Sequence, residues 1–223
     1  MEVKLNVPLN LRKGTLKKDQ IAAMQSAIDG FDFIREATNL DNVENINLLD
    51  YGCGVKYTQA FLQHDIDIKS YTGVDVDQKM VRFLKNNVSD SRFVYSLLPF
   101  YNEMYNKEGI PMTKDADLKI GDKKHNLIIA LSVFTHLNPR DSRILLKIMK
   151  RYLSPDGKIF YTTFVNDKLQ RQFKDFHPDK PLLRAVYKSS FWEEAIHEAG
   201  LRVVEIKEKN DVFKTKKQYI LGH

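Results

Sequence analysis

At 223 residues the chain has room for one α/β domain, and 43% hydrophobic residues are enough for a sizeable core. A single cysteine, Cys53, excludes a disulfide framework and a cysteine-built metal cluster. No stretch approaches the ~20 apolar residues of a membrane span, and Met1–Lys18 lacks a signal peptide's apolar core, so a cytoplasmic location is expected. A net charge of +6 and a pI of about 9.2 permit a nucleic-acid partner without requiring one.

Residues 1–14 read as irregular, with Pro8 and Gly14 as breakers. Thr15 is expected to cap a helix running to about Thr38, with Asp19 early in it, where the helix dipole favours an acid. Ile21, Met24, Ala27, Ile28, Phe31 and Ile34 recur at three- and four-residue spacing, which buries one face. Asn47–Tyr51 reads as the first strand, and a helix over Lys56–His64 follows the turn Gly52-Cys53-Gly54. Ser70–Val74 is the second strand. A helix over Asp77–Val88 turns Met80, Val81 and Leu84 inward, and Arg92–Ser96 is the third strand. The irregular stretch Leu97–Lys124 is long for a connection inside a compact domain, and such stretches are usually functional. Asn126–Leu131 is a continuous apolar run, as in a central parallel strand.

Pro139 opens a helix to about Leu153, where its missing N–H costs little. Ser154–Gly157 is a turn, and Lys158–Val165 a β-branched and aromatic fifth strand. A loop through His177, Pro178 and Pro181 leads to a helix over Ser190–Ala199, ended by Gly200. Leu201–Lys207 and Lys217–Leu221 are expected as an antiparallel pair at a sheet edge. The basic tail, Lys207, Lys209, Lys214, Lys216 and Lys217, reads as lysines guarding that edge rather than as a nucleic-acid surface. There is no repeat, low-complexity tract or linker. The expected organisation is an N-terminal helical cap over 1–45 on a domain over 46–223, forming one structural unit.

Strand, tight glycine turn and helix are the first unit of a doubly wound α/β fold. Glycine serves there because the turn demands backbone angles a side chain disfavours, and because a ligand must approach the backbone. Asp75 follows Gly52 by 23 residues and ends the second strand. An acid so placed accepts hydrogen bonds from ribose hydroxyls, so the pair points to a nucleoside-containing ligand.

Four stretches together resemble the class I S-adenosylmethionine-dependent methyltransferases: Leu48-Leu-Asp-Tyr-Gly-Cys-Gly54, Gly73-Val-Asp75, Asn126 to Leu137, and Leu153-Ser-Pro-Asp-Gly157. The resemblance covers roughly Leu48 to the end. It implies a doubly wound, seven-stranded, mostly parallel sheet with the last strand antiparallel, and S-adenosylmethionine bound at the strands' carboxyl ends. It implies that Asp50, Gly52, Cys53 and Gly54 line the methionine portion. Asp75 would hold the ribose beside Val76 at the adenine, Ser96 and Leu97 would lie near the adenine amine, and Leu131 and Ser132 would flank the sulfonium. Two departures stand out. Lys56 replaces the family's third glycine, either solvated or paired with the cofactor carboxylate. Leu97-Leu98-Pro99 replaces the acid common after strand three, leaving adenine to backbone groups or to Tyr101 or Asn102.

A histidine suits proton removal from an oxygen or nitrogen acceptor near neutral pH. His136, just past the fourth strand, is the first candidate base, with a structural role as its rival. His177 is the second, and Tyr101, Tyr105 and Tyr187 are candidates to shape the pocket. No metal-ligand spacing appears. The sequence after the fourth strand, Leu131-Ser-Val-Phe, differs from that of enzymes methylating base or glutamine nitrogens. The expected activity is methyl transfer to an oxygen or nitrogen of a small polar metabolite or sugar, by a monomer or homodimer with neither nucleic acid nor membrane as partner. An RNA or protein methyltransferase and a non-catalytic binding module are the alternatives, and a nicotinamide dehydrogenase fits the closing strands poorly.

Overall fold

The computed structural model describes residues 3–177, 179–208, 212–213 and 216–223. Its helices are α1 (Gln20–Thr38), α2 (Lys56–Gln63), α3 (Gln78–Asn87), α4 (Pro139–Tyr152) and α5 (Ser189–Glu198). Its strands are β1 (Asn47–Tyr51), β2 (Ser70–Asp75), β3 (Phe93–Leu97), β4 (His125–Ala130), β5 (Leu153–Val165), β6 (Phe173–Asp175), β7 (Ala185–Tyr187), β8 (Arg202–Lys207) and β9 (Lys217–Gly222).

Parallel strands lie in the order β3-β2-β1-β4-β5. On the far side of β5 comes β9, antiparallel to it, and then β8, antiparallel to β9. These seven strands match the expected sheet with the last strand reversed, β9 being inserted between β5 and the edge strand β8; β7 and β6 add two further strands through β5, making nine among the described residues. Side chains alternate between its two faces, as strand geometry requires. Leu48, Leu127, Ile129, Phe160 and Ile220 share one apolar cluster with α1, α2 and α3. Leu49, Ile128, Ala130, Ile159, Tyr161 and Tyr219 share the other with α4 and α5. Between β3 and β4 no helix forms among the described residues; Leu98, Phe100, Met112 and Leu118 of the irregular stretch enter the α4–α5 cluster instead.

Several elements depart from the expected boundaries. Helix α1 starts at Gln20 rather than Thr15, because the Asp19 carboxylate accepts the Ala22 N–H at 3.0 Å and serves as the N-cap. The residues before it bury Leu5, Val7 and Leu11 against the α1 cluster, with a short helical turn at Leu9–Leu11. Ser154–Gly157 does not end β5. It loops out of the ladder between the pairs His125↔Leu153 and Leu127↔Lys158, so the strand runs from Leu153 to Val165. The segment after β5, expected as a loop, contains the β6–β7 hairpin, whose β7 pairs in parallel with Phe164 and Val165.

The basic tail divides. Lys207 lies on the edge strand, and Lys217 pairs with Glu208 at 2.8 Å. Lys209 and Lys214 lie outside the described residues. Lys216 does not guard the edge: it turns inward and its Nζ donates to the Ser132 hydroxyl at 2.5 Å.

Candidate functional site

The carboxyl ends of β1, β2 and β4 meet beside a cleft of about 970 Å³. The glycine turn forms its floor. Gly52 and Gly54 have φ of +72° and +50°, in the left-handed region that favours glycine. A Cβ on Gly52 would stand 2.6 Å from Val133 Cγ2, so the turn and the segment after β4 are in contact. The Gly52 and Cys53 N–H groups both donate to the Val74 carbonyl, at 2.8 and 3.1 Å, which folds the turn across the end of β2. Cys53 is buried, and burial raises its thiol well above the usual range, so it is not a nucleophile at neutral pH.

The two acids of the motif have different surroundings. Asp50 is buried and accepts the Tyr71 hydroxyl at 2.7 Å. Burial pushes its carboxyl up to about 7; the Tyr71 bond opposes that rise and the Asp75 charge adds to it. Asp75 accepts the Gly54 N–H on Oδ2 and the Asp77 N–H on Oδ1, each at 2.9 Å. Burial raises its pKa as well, and those two N–H bonds counter the rise. One carboxylate therefore ties the glycine turn to the start of α3 while lining the cleft.

Past β4, Ser132 has φ +61°, an uncommon conformation for a residue with a side chain. Three bonds hold it there. Its N–H donates to Thr162 Oγ1 at 2.8 Å, its carbonyl accepts the Thr135 hydroxyl at 2.7 Å, and its own hydroxyl accepts from Lys216. His136 follows in the helical turn Phe134–His136. Its Nδ1 lies 3.0 Å from the Leu182 carbonyl, which can only accept. Nδ1 thus carries the hydrogen, and Nε2 is the basic atom of a ring that lines the cleft. Burial lowers the pKa of His136, the Leu182 carbonyl opposes this and Lys216 reinforces it, so the ring is neutral at pH 7. The Tyr105 ring meets it edge-on, centroids 6.4 Å apart.

The cleft brings together Asp50, Gly52, Cys53, Gly54, Asp75, Val76, Leu131, Ser132, His136 and His177. Ser96 and Leu97 do not line it. The Ser96 hydroxyl donates to the Leu118 carbonyl at 2.8 Å, and Leu97 packs against the α1–α3 cluster; Leu98 is the nearby lining residue. Tyr101, Asn102 and Tyr105 line the cleft, whereas Tyr187 is buried and bonds Ser142 and the Leu137 carbonyl. His177 is exposed at the rim. Lys56 donates to Ser26 Oγ of α1 at 3.1 Å. Among the described residues no cluster of metal-ligating side chains occurs.

The sequence leads one to expect an acceptor pocket built from the N-terminal helix, the Leu97–Lys124 segment and the Phe164–Lys188 loop, and all three contribute lining residues to the cleft. The residues before Thr15 are not expected there, nor is Lys216, and Arg184 is not singled out by the sequence. The segment 11–17 covers one side of the cleft, Arg184 enters from the β6–β7 hairpin, and Lys216 enters from the C-terminal turn. The alternation Leu5, Val7 was a signal that the N-terminal segment packs. For Arg184 and Lys216 no local pattern exists, because distant chain reversals place them.

Solved structures share this fold. An S-adenosylmethionine-dependent methyltransferase from Mesorhizobium loti superimposes with a TM-score of 0.60 at 13% identity, over 86% of this chain and 96% of that one. A glycopeptide N-methyltransferase complexed with sinefungin gives 0.58 at 12% identity, over 90% and 93%. Magnesium protoporphyrin IX methyltransferase from Synechocystis PCC 6803 with bound S-adenosylhomocysteine gives 0.57 at 12% identity, over 98% and 90%. The description "Methyltransferase domain" matches residues 22–206, from α1 to β8. The glycine cradle, the buried acid at the end of β2 and the cleft between them suit a nucleoside-bearing cofactor. The chain belongs to the methyltransferase-domain family and shares its fold with enzymes solved with S-adenosylhomocysteine or sinefungin.

Proposed function

We propose that the acceptor is a small polar metabolite or sugar, methylated on oxygen or nitrogen in the part of the cleft around His136. Bound S-adenosylmethionine supplies an electrophilic methyl group; the protein positions the acceptor and removes its proton. In this reading Asp75 holds the ribose, Val76 borders the adenine, and the turn from Gly52 to Gly54 with Leu131 and Ser132 receives the methionine portion. Leu98, Tyr101 or Asn102 takes the place expected of Ser96 and Leu97 near the adenine.

The observation that carries the acceptor reading is the state of His136. A neutral ring with Nδ1–H committed to Leu182 leaves Nε2 free to take a proton at neutral pH. Tyr105 and His177 border the same space. The purified enzyme, supplied with S-adenosylmethionine and pools of small hydroxy and amino compounds, is expected to release S-adenosylhomocysteine with at least one pool. His136→Gln should then lower turnover by about 10²- to 10⁴-fold, the usual worth of a general base. Its affinity for S-adenosylhomocysteine, read by calorimetry, should stay within about twofold. Equal losses in turnover and affinity would assign His136 a structural role.

A further inference from the structure

Charge is distributed unevenly around the cleft. The acids that line it, Asp50 and Asp75, sit at the ends of β1 and β2. The remaining charged lining side chains are Arg12, Lys13, Lys17, Lys56, Arg184 and Lys216. Some are engaged: Arg12 Nε donates to the Val7 carbonyl at 2.7 Å, and Lys13 lies 4.0 Å from Asp77. Lys56 donates to Ser26 Oγ at 3.1 Å; what sets Arg184 and Lys216 apart is that they meet on one aromatic ring. The Arg184 guanidinium lies 4.7 Å from the Phe164 ring centre and 5.8 Å from that of Phe176. Lys216 Nζ lies 5.7 Å from the same Phe164 ring and bonds Ser132. Among the described residues neither cation has a carboxylate partner within 4 Å.

Phe164 lines the cleft at the end of β5, so it carries two cations that no carboxylate among the described residues pairs with. Both are tied to the His136 region. The Leu182 carbonyl that orients His136 is two residues before Arg184, and Ser132, which holds Lys216, precedes His136 by four. We propose that Arg184 and Lys216, on the Phe164 ring, bind an oxyanion group of the methyl acceptor, a carboxylate or a phosphate. The proposal rests on the acceptor reading above and narrows it to anionic acceptors. The guanidinium fork matches either oxyanion in two-point fashion, and the ammonium adds a point charge. Withdrawal from water lowers the pKa of Lys216, and the neighbouring Lys56 lowers it further; a bound anion relieves both. A cationic amine acceptor would meet only like charge on this side.

The test uses the full chain saturated with S-adenosylhomocysteine and 8-anilinonaphthalene-1-sulfonate as a fluorescent aromatic anion. Benzoate and phenyl phosphate compete as oxyanions, with benzyl alcohol as the neutral control. At least one oxyanion should displace the dye, and benzyl alcohol should not; which one succeeds tells carboxylate from phosphate. Arg184→Gln and Lys216→Met should each weaken the competing anion about tenfold, the effect of one charge-assisted hydrogen bond. Arg184→Gln should leave S-adenosylhomocysteine affinity unchanged, which also reports that it folds; Lys216→Met, which removes one of the three bonds on Ser132, should weaken it less than it weakens the anion. Displacement by all three compounds alike, or by none, overturns the proposal. So does a Lys216→Met variant that loses S-adenosylhomocysteine affinity while keeping the anion, since Lys216 would then serve the cofactor. An enzyme that binds the cofactor product and methylates only neutral compounds through His136 keeps the acceptor reading and loses this one.

Discussion

Both carboxylate oxygens of Asp75 accept backbone N–H groups, from Gly54 on one side and Asp77 on the other. The residue read as the ribose acceptor thus also fastens the glycine turn that forms the floor beside it. Removing it should cost twice. Asp75→Ala leaves two backbone donors without their partner, and the protein without ligand should lose about 1–3 kcal/mol of stability. It should also bind S-adenosylhomocysteine more weakly by about 1.5–3 kcal/mol, the worth of hydrogen bonds to a charged group. Urea unfolding reads the first effect and calorimetric titration the second. A variant that is destabilised but binds with unchanged affinity would leave Asp75 as a fastener of the turn and remove the ribose assignment. Sequence spacing made Asp75 visible because the motif lies within 30 residues of one βαβ unit. It did not make the Asp50–Tyr71 bond visible, since that depends on the register that sets β1 against β2.

At the scale of elements, what was legible followed local pattern. The apolar runs of β1, β2 and β4 and the three- and four-residue spacing in α1 mark strand and helix without tertiary knowledge. The β6–β7 hairpin was not legible, because its three-residue strands exist only through β7 pairing with the end of β5. The lysine tail was misread for a related reason. Lysines on an edge and a lysine folded back on Ser132 have the same local sequence signature. The start of α1 shows how a boundary is decided: two capping residues compete, Thr15 and Asp19, and the helix uses the second. Asp19→Ala should therefore lower stability by about 1 kcal/mol, the usual cost of losing an N-cap. Thr15→Ala should change it by less than about 0.5 kcal/mol, as expected of a substitution away from a cap or core. Thermal or urea unfolding of the two variants separates the possibilities, and the reverse ranking would move the helix start to Thr15.

For the whole molecule, burial of ionisable groups at the two ends of the sheet couples stability to pH in two opposed ways. Asp50, ordinarily near 3.8, is pushed up to about 7 by burial. Between pH 4 and 7 the folded protein keeps a proton there that the unfolded chain has released. Its contribution to stability therefore falls as pH rises, by about 1.4 kcal/mol per unit where the proton difference is one. The shift on Asp75 has the same sign. His125 is fully buried at the start of β4, beside Thr72 Oγ1 at 3.3 Å. Burial brings its pKa from 6.5 to about 4, with the charge of Lys123 adding to the fall. Below pH 6.5 the unfolded chain takes up a proton that the folded chain refuses, so this contribution falls as pH drops. The two slopes overlap between pH 4 and 6.5 and offset each other.

Single variants should separate them. Relative to the parent protein, Asp50→Asn should gain about 2 kcal/mol of stability as pH rises from 4.5 to 6.5, because the term that declines has been removed. His125→Gln should lose about 2 kcal/mol over the same interval, because the term that rises has been removed. Urea unfolding at the two pH values, with equal m-values, measures both changes. An Asp50→Asn profile parallel to that of the parent would mean that Asp50 is ionised in the folded protein. The Tyr71 hydroxyl would then be outweighing burial, and the floor of the cleft would carry two negative charges, Asp50 and Asp75, rather than one.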